Sequence, residues 1–111
     1  MAGPEKMSSG YNMKCPIART LDIVGERWTM LVIRDLILEG PCKFQDFEKS
    51  LPGISASTLS ARLKKLEEHG IIERKLYSDH PPRGEYALTA KGWTLGPVMK
   101  LLREWGSKHA T

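Results

Sequence analysis

Two cysteines, three histidines and one basic helical stretch are the parts of this chain whose residue types could do chemistry. Cys15 stands directly before Pro16, with Lys14 and Arg19 close by in sequence. A thiol at the start of a helix meets the positive end of the helix dipole, and neighbouring cations favour the reactive thiolate. The same position suits a small buried hydrophobe that merely caps the helix, so sensor and spacer both stay open for Cys15. Cys42 precedes a short helix and reads as a quiet packing residue. His69, His80 and His109 fall on a helix end, a loop and the tail, with no ligand spacing to either cysteine. GxSxG, P-loop, HExxH and paired-carboxylate patterns are all missing from the sequence. The expectation is therefore no enzyme, no metal and no cofactor.

The basic stretch is "SASTLSARLKKLEEHGIIERK", Ser55 to Lys75. Leu59, Leu63 and Leu66 recur at helical spacing and predict one buried face. Ser57, Ala61 and Lys64 lie opposite, with Thr58 and Lys65 at the edge. Small and hydroxyl side chains in the first turn, Ser55, Ser57 and Thr58, with Ala61 after them, let a backbone approach DNA, and Arg62, Lys64 and Lys65 supply cations for phosphates. Glu67 and Glu68 stand at the far end, so the charge gradient fits a helix entering a groove by its N-terminus. A solvated face with internal ion pairs is the plainer alternative.

Around this stretch the chain must supply positioning elements. Its 111 residues suffice for one domain with a modest core, and 41% hydrophobic with 27% charged residues is ordinary for a soluble globular protein. A net charge of +4 leans mildly towards a polyanionic partner. No apolar run has signal-peptide length, and none approaches the roughly 20 residues of a membrane span. With only two distant cysteines, a reducing cytoplasmic setting is the simplest expectation.

Residues 1–12 read as a disordered lead, and 13–111 as a single domain. "CPIARTLDIVG" predicts a helix with Pro16 at its first position and Gly25 at its end. "ERWTMLVIRDLILEGP" predicts a central helix, apolar on most sides through Trp28, Leu31, Val32, Ile33 and Leu36. "KFQDFEKSLPG" is a shorter helix with Phe44, Phe47 and Leu51 inward. Ser55 then caps the basic helix and Gly70 stops it. "IIERKLYS" and "EYALT" are extended, and "DHPPRG" between them makes a proline-stiffened hairpin tip carrying Arg83. Lys75, Tyr77 and His80 could add contacts there. Thr89 caps the segment after the hairpin, and Gly96-Pro97 divides off a last helix with Val98, Leu101, Leu102 and Trp105 on one stripe.

A short helix, a tight link, a longer helix and a basic hairpin describe a winged helix-turn-helix, mainly α with a small β-hairpin. So small a domain has little core to spare for Val98, Leu101, Leu102 and Trp105 as well as Ile17 and Leu21. Pairing helices 16–25 and 97–108 across a two-fold axis would bury that excess.

In this order the chain resembles the HxlR family of winged-helix regulators, relatives of MarR. Cys15-Pro16, "RWTMLVIRDL" at 27–36, "LPGIS" at 51–55, "LSARLKKLEEHGIIER" at 59–74 and "PPRGEYALTAKG" at 81–92 carry the resemblance. It spans nearly everything after the lead. The resemblance implies a homodimeric transcription factor from a bacterium or archaeon, whose terminal helices build the dimer and whose two recognition helices meet a palindrome in double-stranded DNA. Some members sense oxidants or electrophiles through a cysteine near the N-terminus, a place that Cys15 occupies; the effector, oxidant or small molecule, is not legible. A winged-helix protein-interaction module without DNA binding is the competing function.

Overall fold

The computed structural model describes residues 12–79 and 82–110. Among these residues, six helices and one hairpin succeed one another in the order α1 (Pro16–Val24), α2 (Thr29–Glu39), α3 (Phe44–Ser50), α4 (Ala56–Glu68), β1 (Ile72–Asp79), β2 (Pro82–Leu88), α5 (Ala90–Trp93) and α6 (Gly96–His109).

Pro16 opens α1 at the point where a backbone N–H is not needed, Cys15 is its N-cap, and the Gly25 N–H closes it onto the Leu21 carbonyl at 2.7 Å. The central helix begins later than its apolar pattern predicts. Glu26–Trp28 form a turn, in which the Thr29 N–H donates to the Glu26 carbonyl at 3.1 Å, and α2 starts only at Thr29. That turn frees the Glu26 side chain to reach another element.

The core is the junction of α2, α3, α4 and the base of the hairpin. Val32, Ile33, Leu36, Phe47, Leu51, Leu59, Leu63, Leu66, Ile71 and Ile72 are all buried in it. Phe44 is only half-buried at its margin. On α4 the leucine stripe faces inward as its spacing predicts.

Both ends of α4 are sealed locally. The Ser55 hydroxyl accepts the Thr58 N–H at 3.1 Å. At the other end Gly70 adopts φ +71°, the left-handed conformation that glycine enters without steric cost. Its N–H donates to the Glu67 carbonyl at 2.9 Å, and the Ile71 N–H to the Leu66 carbonyl at 2.9 Å. This pair of bonds is a Schellman ending, and the buried Leu66 and Ile71 complete it. The chain leaves α4 straight into β1.

β1 and β2 pair antiparallel, with Ile72 opposite Leu88, Arg74 opposite Tyr86 and Leu76 opposite Gly84. Between Leu76 and Ser78 the register shifts, which makes Tyr77 an extra, bulged residue. The strands also run further than the proline-rich segment predicts. Pro82 and Arg83 belong to β2, opposite Asp79 and Ser78, rather than to a loop. A proline at the first position of an edge strand loses no ladder bond the strand requires. His80 and Pro81 lie outside the described residues. Cys42 adds a third line of backbone to the sheet: its N–H donates to the Tyr86 carbonyl at 2.9 Å, and its carbonyl accepts from Tyr86 at 2.7 Å.

Thr89 caps α5, its hydroxyl accepting the Gly92 N–H at 3.1 Å. The last helix, α6, contains no buried residue. No described helix is long and apolar enough to cross a membrane.

Candidate nucleic-acid interface

The exposed crest of α4 is formed by Ser57, Ser60, Ala61 and Lys64. Nothing in its sequence context distinguishes Ser60, yet it lies three residues after Ser57 and four before Lys64, the spacing that shares a face. Lys64 makes no ion pair among the described residues, and the exposed Glu67 and Glu68 are confined to the last turn.

The two other cations of α4 are placed differently. Arg62 and Lys65 are half-buried on the flank, and both reach the Glu26 carboxylate, Lys65 at 3.3 Å. In this arrangement they tie α4 to the α1–α2 turn, and Lys64 alone of the three stands on the crest. Sequence gives no sign of the pairing, because the apolar pattern puts Glu26 inside a helix rather than in a turn.

Thr58 is also engaged locally. Its hydroxyl accepts from the Ser55 hydroxyl at 2.9 Å, and the Ser55 and Ser57 hydroxyls lie 3.3 Å apart. The first turn is thus a small hydroxyl network, from which Ser57 remains exposed while Thr58 is partly covered.

On the hairpin, Lys75 and Arg83 are exposed, with Lys75 3.9 Å from Glu73. Tyr77, turned out by the bulge, receives the Lys43 ammonium 5.0 Å from its ring centre. Ordinary screening leaves the Glu73 pair weak, so Lys75 stays available to an anion.

The two thiols contrast. Cys15 is exposed at the head of α1. Cys42 is buried, its Sγ directed at the Gly40 carbonyl 3.3 Å away. Burial pushes its thiol up from 9.0 to about 11, and the charges of Asp35, Asp46, Glu39 and Glu85 push the same way. No three His, Cys, Asp or Glu side chains among the described residues converge as a metal site.

Apolar side chains stand in water at both chain ends. Ile17 is 71% exposed, Leu101 65% and Trp105 64%, and Leu21, Val98 and Leu102 are exposed beside them. Between α2 and α6 runs an apolar groove of about 450 Å³ that Met30, Leu31, Ile37, Leu38, Met99 and Leu102 line.

Comparison with known proteins places this geometry. A family model for HxlR-like helix-turn-helix proteins matches residues 23–111. The HTH-type transcriptional regulator YdeP of Bacillus subtilis is 40% identical over 95 residues, which cover 86% of this chain and 73% of YdeP. The redox regulator HypR in its reduced form superposes with a TM-score of 0.82 at 34% identity, over 86% of this chain and 94% of that one. The reduced transcriptional regulator YodB from B. subtilis superposes with a TM-score of 0.72 at 34% identity, over 87% and 95%.

Proposed function

The chain belongs to the HxlR family of winged helix-turn-helix transcriptional regulators, and from that premise we propose that it binds a palindromic operator as a homodimer, reading bases with the crest of α4 and holding the backbone with its hairpin. One observation carries this reading: the exposed crest is small, hydroxylated and basic where it leads, and acidic only where it ends. Such a crest admits close approach to base edges, while phosphates meet Lys64, Lys75 and Arg83. The regulator acts without catalysis, in the cytoplasm where its DNA is.

The dimer rests on the exposed apolar faces of α1 and α6. Ile17, Leu21, Val98, Leu101, Leu102 and Trp105 are large apolar side chains left in water, the mark of an interaction surface. A two-fold pairing covers it and sets two α4 helices about one turn of DNA apart. Cys15 caps α1 at the edge of that surface, exposed and reachable by an oxidant. Its oxidation, for instance to an inter-subunit disulfide, would alter dimer geometry and operator affinity. The redox regulator HypR in its oxidised form and diamide-treated YodB share this fold, which supports such a role.

Selection of bound duplexes from random DNA, followed by gel shifts over a salt series, tests the reading. A palindromic consensus whose affinity falls steeply with salt is expected. If no duplex is retained, the protein-interaction reading takes its place.

A further inference from the structure

Where the hairpin meets the start of α3, an open groove of about 500 Å³ is lined by Lys43, Phe44, Gln45, Arg74, Tyr77, Arg83, Gly84 and Tyr86. Three of these are cations and none is a carboxylate. Lys43, Arg74 and Arg83 are all exposed, and none pairs with an acid among the described residues. Like charges held together on a rigid frame create a local positive potential that an anion relieves.

The frame is specific. Lys43 is held over the Tyr77 ring, which the bulge aims at it. Arg74 lies across β2 at Gly84: a Cβ built on Gly84 would stand 2.7 Å from Arg74 Nε and 3.2 Å from its Cγ. Glycine at 84 therefore clears the surface on which the Arg74 side chain rests. Phe44 and Tyr86 give the groove an apolar floor, and Gln45 adds a neutral donor.

The geometry points to a phosphate clamp, in which Arg74 and Lys43 grip a backbone phosphodiester of the bound duplex next to the one met by Arg83. It rests on the DNA-binding reading above and assigns it two cations on elements other than the recognition helix. A planar guanidinium offers paired donors to phosphate oxygens, and the ammonium adds a point charge. Contacts of this kind position the protein without reading sequence.

The test uses a duplex selected by the wild-type protein from random DNA, with Lys43→Gln, Arg74→Gln, the double variant and Gly84→Ala, each checked for folding by circular dichroism. Each single loss should weaken binding several-fold and reduce the steepness of the log affinity against log salt plot by about 1, the double by about 2, with an unchanged consensus. Gly84→Ala, which displaces Arg74 and removes no charge, should weaken binding with a smaller change in slope. Variants that bind like wild type, with an unaltered slope, overturn the clamp but leave DNA binding intact; a wild type that retains no duplex overturns both. Calorimetric titration with inorganic phosphate separates the sources of the anion. No saturable heat is expected, and tight binding that Arg74→Gln abolishes would assign the groove to a free phosphorylated ligand instead.

Discussion

The Glu26 carboxylate sits 3.3 Å from the Lys65 ammonium, joining the turn before α2 to the flank of α4, and it also takes Arg62. One acid thus holds two of the three cations that sequence assigns to the phosphate-facing side of the recognition helix. Glu26→Gln should cost little stability, no more than about 1 kcal/mol, since the partners are partly solvated. It should instead tighten binding to non-operator duplex and steepen the salt dependence, because two cations are released and a negative charge is lost. Gel shifts on random-sequence DNA measure this; unchanged affinity and slope would mean that Arg62 and Lys65 stay clear of phosphates.

Base reading should separate from helix capping within the same first turn. Ser57 and Ser60 are exposed, so Ser57→Ala and Ser60→Ala should leave stability within about 0.5 kcal/mol and change the sequences selected from random DNA. Ser55→Ala removes the acceptor of the Thr58 N–H and should destabilise the protein by about 1 kcal/mol in denaturant unfolding, with the consensus preserved. A consensus unaffected by both crest substitutions would move base reading elsewhere on α4.

The two thiols should behave in opposite ways. At about pH 8, iodoacetamide should label exposed Cys15 first and reach Cys42 only on unfolding, as mass spectrometry of each peptide would show. Because burial raises the Cys42 thiol to about 11 in the fold, against 9.0 for the free group, the unfolded chain gives up this proton first as pH rises. The stabilisation is therefore whole below pH 9.0 and is lost as pH climbs towards 11. Tyr86, raised from 10.0 chiefly by burial, adds to the same slope. Cys42→Ala should flatten the alkaline fall in stability without abolishing it. Separately, Cys15→Ser should lose any diamide response of DNA binding; a response equal to wild type would remove Cys15 as the sensor.

The helices and the hairpin are legible in sequence because their signals are local. Pro16 and Gly25 bracket α1, the leucine stripe orients α4, and Ser55 and Gly70 cap it. What escapes a sequence reading depends on contacts between distant segments. The turn at Glu26–Trp28 is disguised because Trp28 continues the apolar spacing of α2, and the pairing of Glu26 with Lys65 spans 39 positions. The bridge of Cys42 to Tyr86 is a single residue pair that no alternation announces. Arg74 and Lys43 are scattered cations in sequence, and only the strand register and the Tyr77 bulge bring them to one groove.

The apolar face of α6 offers the most direct test of assembly. Leu101 is 65% exposed and Trp105 64%, and α6 buries no residue in its own subunit. Leu101→Glu should therefore leave the fold of one chain intact, with an unchanged far-ultraviolet circular dichroism spectrum. In a dimer the same carboxylate would be forced into an apolar interface without a partner, a cost of several kcal/mol. Sedimentation equilibrium should show wild type as a dimer and the variant as a monomer at micromolar concentration. Operator affinity should fall steeply, since the second half-site no longer binds through a linked partner. A variant that remains dimeric and binds the operator like wild type would place the two-fold contact away from α6.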